Sequence, residues 1–467
     1  MIIDMQDIIK KYLDNKYDEK TMEKIETILE NILSLDYHFL KIDVKDYKKI
    51  RDLEKEFLSK ISKLKLDNII NTNSTRLDYF DEINAKIMIC DEEIENRIKK
   101  DKDKYLITIE EASKYSFTES LVIAENLIDA KIYIQYGMHY LKKNKYDTMV
   151  GLALFPIGSG GSQTAEQYKT AFLDRNNFGV CIVDSDKKSK THNYGNTAND
   201  VLKYEEKKRN LGEVIVLEVR ELENLISMSI YEKLDNGNTE CNFFKAFDIS
   251  KEVVLEFYKY ADLKNGLSIK ELKKNNFMSK WKEIFLNLNI EKLNKSSKNP
   301  IFSSLEKLEE ILKIKIGKDL ENIEKLEERE EKIKNEIEKI KEIINNEIKE
   351  KIEKIEEAIT RKDINTLEEI INETKEEELE KVNYFVFRGN KKIAEKYLNY
   401  LSGEEINNIK KSIETKKRIK ENPEIIEKEE EKILFYKDSY KDIFLNTEIE
   451  KIATKIIEWG CCIELRN

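Results

Sequence analysis

The chain has 467 residues, 40% apolar and 38% charged, with a formal net charge of -10. That length accommodates two or three domains and a sizeable core, and the acidic balance excludes nucleic-acid binding through bulk positive charge, so any such site must be local. Only 3 prolines and 14 glycines interrupt the chain, which predicts long helices, and no apolar run reaches the roughly 18 residues of a membrane helix.

Residues 1–114 read as an N-terminal helical region. Met5, Ile8, Ile9 and Tyr12, then Ile25, Ile28, Leu29, Ile32 and Leu33, recur at the three- and four-residue spacing of one helix face. Thr21 suits an N-cap, with Glu23 supplying an acid to the first turn, although Lys24 stands where a capping box would have Glu. The segment NTNSTR, 71–76, reads as a loop between two helical blocks.

Residues 115–235 differ in texture. Short apolar runs (SLVIAEN, TMVGLALFPIG, FGVCIVDSD and EVIVLEV) alternate with helical patterns such as IDAKIYIQYGMHYLKKN and QTAEQYKTAFLDRNN. This alternation predicts an α/β core, a mainly parallel sheet with flanking helices. In such sheets functional groups gather beyond the carboxyl ends of the strands. Glu125, the turn from Gly158 to Gly161, and Asp184 with Asp186 all fall at such ends.

Residues 236–300 read as helical again, with a break near Asn265 and Gly266, and Pro300 marks a boundary. Residues 301–467 read as a C-terminal helical region, with Asp363 suited to an N-cap. Within it, Ile333, Ile337, Ile340, Ile344, Ile348, Ile352, Ile355 and Ile359 are separated mostly by Lys and Glu. That pattern predicts a long helical or coiled-coil arm over about 319–360, on the order of 60 Å long. Its apolar seam needs a covering helix from this chain or from a second copy in a homo-oligomer. The expected whole is thus an α/β core embedded in a largely α-helical protein.

Cys90, Cys181, Cys241, Cys461 and Cys462 show no metal-ligand spacing, and their odd number, without a signal peptide, points to a reducing cytoplasm. His38, His139 and His192 are scattered, which argues against a zinc site or a histidine-based triad. The carboxylates are more informative. Acidic side chains at the ends of adjacent strands repel one another, and a hard divalent cation, Mg²⁺ or Mn²⁺, is the usual remedy. An Asp-x-Asp pair at a strand end also suits a turn or a helix cap. If a helix starts near Asn126, Glu125 and Asp129 face the same point. Gly158, Gly160 and Gly161 permit close backbone approach to an anion, or simply make a tight strand-to-helix turn. Lys187, Lys188 and Lys190 are either phosphate contacts or solvated loop lysines, and His192 and Tyr194 share their loop.

The order of strand, Glu125, helix, strand, Gly-rich turn, helix, strand, Asp184-x-Asp186 resembles the Toprim domain of topoisomerases, primases and several nucleases. Here AEN stands where that family often has VEG, so Asn126 replaces a glycine. The segment VIVLEVRELENLI further resembles OLD-type nucleases and stand-alone Toprim effectors of bacterial phage defence, over roughly residues 118–228. The resemblance implies a metal-dependent endonuclease, a hydrolase acting on DNA or RNA. It implies Glu125 as the acid/base glutamate, Asp184 and Asp186 as the metal pair, Asp129 as a further ligand and Glu223 as another, with Glu218 and Glu221 competing for that place. Gly160, Gly161, Lys187 and Lys188 would meet substrate phosphates. The chain carries no Walker A motif, so an ATPase or sensor would be a separate partner. Nor does it carry zinc-ribbon cysteines of the primase kind. The alternative is a non-catalytic subunit that uses a degenerate Toprim fold for docking.

Overall fold

The computed structural model describes residues 1–227 except positions 36, 54–56, 82, 85, 148–149 and 208–209, and beyond them 230–231, 234, 258–268, 294–295, 350, 354, 357, 384–388, 390–418, 443 and 446–463. The chain divides into two compact units, one made of Met1–Lys187, His192–Ser227 and Ala394–Asn467, the other of Lys188–Thr191 and Met228–Ile393.

The first unit opens with a sheet where helices alone were expected. Strands β1 (Ile2–Asp4), β2 (Phe39–Lys41), β3 (Ile87–Cys90), β4 (Ile98–Asp101) and β5 (Lys104–Thr108) form a five-stranded sheet in the order β2-β1-β3-β5-β4. Only the β4–β5 pair is antiparallel. Helices α1 (Gln6–Leu13), α2 (Glu19–Ser34), α3 (Val44–Arg51) and α4 (Lys60–Asp81) lie between the strands. The helical reading of 1–114 is therefore corrected to α/β: strands of three to five residues are too short to show a period of two against the long helices around them. The N-cap of α2 is Asp18, whose carboxylate accepts the Thr21 N–H, rather than Thr21 itself. Helix α4 runs unbroken through NTNSTR. Those residues are polar, but none is Gly or Pro, so nothing forces a break.

The second sheet of this unit is the expected α/β core. β6 (Ser120–Ala124), β8 (Leu154–Gly158), β9 (Gly179–Val183) and β10 (Gly212–Val216) are all parallel, in the order β10-β9-β6-β8. Every residue of β9 is buried, as a central parallel strand covered on both faces requires. The connecting helices are α5 (Ile109–Ala112), before β6, then α6 (Leu127–Lys143), α7 (Thr164–Lys169) and α8 (Asn196–Glu205). From β6 the chain crosses to β8 on one side, then returns to β9 on the other. The sheet thus reverses direction between β6 and β9, where a parallel sheet opens its crevice.

The C-terminal segment returns to complete this unit. After α9 (Ile393–Ser402) and α10 (Glu404–Arg418) comes α11 (Thr447–Gly460), which buries Ile449, Ile452, Ala453, Ile456 and Ile457. It packs against α6, where Gly137 allows close approach: a Cβ there would lie 2.5 Å from Ile456 Cγ2. The chain then forms β14 (Cys461–Ile463), antiparallel to β7 (Val150–Leu152). A buried ion network joins both sheets to α11. The Lys86 ammonium, fully buried, lies 2.8 Å from Glu213 and 2.7 Å from Glu458, and Lys455 reaches both carboxylates at 3.2 Å.

In the second unit, β11 (Gly266–Ser268), β12 (Asn294–Lys295) and β13 (Tyr384–Arg388) form an antiparallel sheet with β13 central. The Tyr231 hydroxyl and the Asn390 N–H both donate to Leu263 O, at 3.4 and 2.8 Å. Regions 236–300 and 301–467 are thus not purely helical, and the break at Asn265 and Gly266 leads into a strand. The expected arm lies almost wholly outside the described residues; of it, Lys354 Nζ sits 2.9 Å from Glu350 Oε1. Among the described residues, no helix is long and apolar enough to cross a membrane.

Candidate functional site

At the end of β6, the Gly-rich turn after β8 grips the backbone of Glu125. Ser159 N–H donates to Ala124 O at 3.0 Å and Gly160 N–H to Glu125 O at 2.8 Å. Gly160 and Gly161 adopt φ values of 78° and 62°, the left-handed region that favours glycine. A Cβ at Gly161 would sit 3.7 Å from Glu125 Oε2, so this turn seats the glutamate. The Gly160 N–H, expected to meet a phosphate, is used on the Glu125 carbonyl instead.

Helix α6 begins immediately afterwards. Asn126 is its N-cap, with an extended backbone (φ -124°, ψ 152°), so the position demands no left-handed residue and the missing glycine is no obstacle. Its side-chain amide donates to Asp129 Oδ2 at 3.0 Å. Asp129 is only 3% exposed and lies in the first turn, where the helix dipole favours an anion.

At the end of β9 the backbone turns sharply. Asp184 is 7% exposed, and its Oδ1 accepts the Leu222 N–H at 3.1 Å. Asp186 takes φ 53° and donates its N–H to Arg220 O at 3.0 Å. The bend separates the pair that sequence reasoning kept together. Asp184 points inward, whereas Asp186 is exposed, with its side chain against Gly195 at the start of α8.

The short 3-10 helix Leu222–Leu225 gives the three competing glutamates different surroundings. Glu221 and Asn224 cap one another, the Glu221 N–H donating to Asn224 Oδ1 at 3.0 Å. Glu218 is exposed and pairs with Lys451 at 2.7 Å. Glu221 is buried too, at 7% exposure, but is engaged with Asn224, and Glu223 is the most deeply buried of the three, at 1%.

These segments converge on Tyr133, one turn beyond Asp129 on α6. Burial, then the charges of Asp184, Asp129, Glu223 and Glu125, hold its phenol well above the usual tyrosine range. Tyr133 was missed in the sequence because an aromatic on a helical face reads as core; its spacing of four from Asp129 was the available signal. Beneath the site, burial and then Glu125 push the Cys181 thiol up.

The donor chemistry, carboxylate oxygens alone, fits a hard divalent cation. Among the described residues, no three His, Cys, Asp or Glu side chains are grouped so as to hold a metal ion. In the neighbouring loop, Lys187 Nζ lies 4.3 Å above the Tyr194 ring, His192 is exposed, and Lys188 belongs to the second unit. No protein-family model, curated protein or solved structure matches the chain.

Proposed function

We propose that this carboxylate cluster is the active centre of a Mg²⁺- or Mn²⁺-dependent endonuclease with a Toprim-like core, hydrolysing phosphodiester bonds in DNA or RNA. The observation that carries the proposal is the convergence of Glu125, Asp129, Asp184 and Glu223 around Tyr133, at the reversal point of a parallel sheet. Like charges gathered in a buried place weaken the fold unless a ligand rewards them.

Asp129, Asp184 and Glu223 would hold the metal, with Asp186 at the exposed side and Glu125 shared. The bound ion would polarise the scissile phosphate and lower the pKa of a coordinated water. Glu125 is half-buried and held by its carbonyl over Gly161, which leaves its carboxylate placed to move a proton between nucleophile and leaving oxygen. Tyr133 keeps its proton at neutral pH and serves as a hydrogen-bond donor. Lys187 offers a phosphate contact beside Tyr194, an exposed ring on which a base can stack.

The same reading makes the protein a toxic effector of antiviral defence in the cytoplasm, restrained by a separate ATPase or sensor or by a closed oligomer. The absence of a ready cage among the described residues favours one alternative, a docking subunit with a degenerate Toprim fold. Purified protein incubated with plasmid, single-stranded DNA and tRNA, in Mg²⁺ and in Mn²⁺, separates the two. Cleavage lost in Glu125→Gln and Asp184→Ala supports the nuclease. Cleavage equal in both variants and parent refutes this site, and no cleavage with no metal-dependent thermal shift supports the docking subunit.

A further inference from the structure

The turn that carries Asp184 and Asp186 does not stand alone. It is tied to the segment 217–222, which runs on from β10 toward Glu223. Leu217 N–H donates to Val183 O at 3.0 Å, Ser185 Oγ to Val219 O at 2.5 Å, and Asp186 N–H to Arg220 O at 3.0 Å. Leu222 N–H closes the series on the Asp184 carboxylate. Residues 217–222 thus form a strap along the site. Its outer side is held by a residue about 230 positions further along the chain. Glu448, in the first turn of α11, accepts the Glu218 N–H on Oε1 at 2.6 Å and also takes the Val219 N–H. Glu448 is itself fixed by Asn446, whose Oδ1 accepts the Glu448 N–H at 3.0 Å.

We propose that Glu448 is a positioning residue for the candidate site: by gripping the strap it fixes Asp184, Asp186 and Glu223, and its loss loosens all three together. The metal-site part of this statement rests on the nuclease reading above; the mechanical part does not.

The electrostatics make the grip sensitive to pH. Burial, more than any other influence, pushes the Glu448 carboxyl up to about 7, with Glu218 adding to the rise and the two strap N–H groups and Lys451 opposing it. The charged and titratable groups that face it are Glu218 from the strap, Lys451 from its own helix and Tyr136 from α6. A carboxyl raised in the gripped state ionises more readily once the strap lets go, so the grip is fullest below this value and rising pH favours release.

Amide hydrogen exchange on the full chain tests the proposal without reference to cleavage. Parent, Glu448→Gln and Glu448→Ala are compared at about pH 8 and about pH 6, values that straddle the Glu448 transition. At the lower pH, where the parent's grip is fullest, Glu448→Ala should exchange roughly tenfold faster or more at 217–222 and also at 183–187, as expected when bonds to a buried acceptor are lost. Glu448→Gln should lie between it and the parent, and the differences should shrink at the higher pH, where ionisation of the parent favours release. The spread to 183–187, which Glu448 does not touch, is the deciding signature. Exchange at 183–187 equal to the parent in both variants overturns the proposal. A parallel Mn²⁺ thermal-shift series keeps the two ideas apart. A parent that gains nothing from Mn²⁺ at either pH counts against the metal site alone, while the exchange result still decides the role of Glu448.

Discussion

Removing the Lys86 ammonium should be among the most damaging single changes in this molecule. Lys86 is fully buried, sits 2.8 Å from Glu213 and 2.7 Å from Glu458, donates to Asp103 O at 3.1 Å, and lies 5.5 Å from the centre of the Trp459 ring. Its two carboxylate partners are themselves buried, at 13% and 4% side-chain exposure. Lys86→Met keeps the bulk but leaves two buried negative charges sharing Lys455. Breaking a buried ion pair costs about 3–5 kcal/mol. Lys455 already reaches both carboxylates at 3.2 Å, so the lower end applies, about 3 kcal/mol. For a unit of about 300 residues, with an unfolding entropy of about 0.6 kcal/mol/K, that corresponds to a fall of roughly 5 °C in melting temperature. Burial alone would raise the Glu213 carboxyl, but Lys86 and Lys455 outweigh it and hold it below the usual range. A depressed acid stabilises the fold above its unfolded pKa and loses that contribution as pH falls through the folded one. The gap between parent and variant should therefore be full at neutral pH and close under acid. Calorimetric melts across pH measure it. A Lys86→Met variant that melts within about 1 °C of the parent at neutral pH would refute the reasoning.

The other predictions concern the site and its supports. Asp184→Ala and Glu125→Gln should each lower cleavage by at least about 10²-fold, whereas Lys187→Ala should cost far less, as measured by turnover on a cleaved substrate. Without metal, Asp184→Ala should melt within a few degrees of the parent, because relief of a repelling charge offsets the lost bond from the Leu222 N–H, and Mn²⁺ should stabilise the parent more than the variant. Gly137→Val should destabilise by about 1–3 kcal/mol in denaturant titration, because the new side chain meets Ile456 where α6 and α11 cross. The folded pKa of Glu448, about 7, lies above its ordinary value of 4.5, so its contribution to stability falls as pH rises through that interval. Glu448→Gln should consequently gain on the parent over the same window, reaching about 3 kcal/mol above pH 7 as an upper figure.

The parts of this fold that announce themselves are those whose strands are long and wholly apolar. VCIV within β9 is buried throughout and LVIA within β6 all but at Leu121, and their ends mark Glu125 and Asp184 without any knowledge of the tertiary structure. β1 and β2 offer three residues each, IID and FLK, too few for periodicity to separate from the helices beside them. Asp184 and Asp186 share a motif but not an environment, because the left-handed turn at Asp186 is fixed by Arg220, a partner beyond the reach of local pattern. Glu223 became distinguishable from Glu218 and Glu221 only once the capping pair with Asn224 and the bridge to Lys451 had accounted for the other two. Glu448 carried no local signal: it sits in the acidic first turn of an amphipathic helix, as helix-end glutamates commonly do.

The closing pair of strands, β14 against β7, bears on the order in which the protein comes into being. Because the chain is made from its N-terminal end, Glu125, Asp129, Asp184 and Glu223 all leave the ribosome early. The helix that braces them and the strand that seals their unit are made after the whole of the second unit. At about 5–20 residues per second, the interval between Glu223 and Cys461 lasts roughly 10–50 s. During it the carboxylates lack the strap's anchor and α6 lacks the apolar face it packs on. Under the proposed function, a nascent or prematurely ended chain would not assemble the centre until the last turn of α11 is in place, so synthesis order alone would hold it inactive.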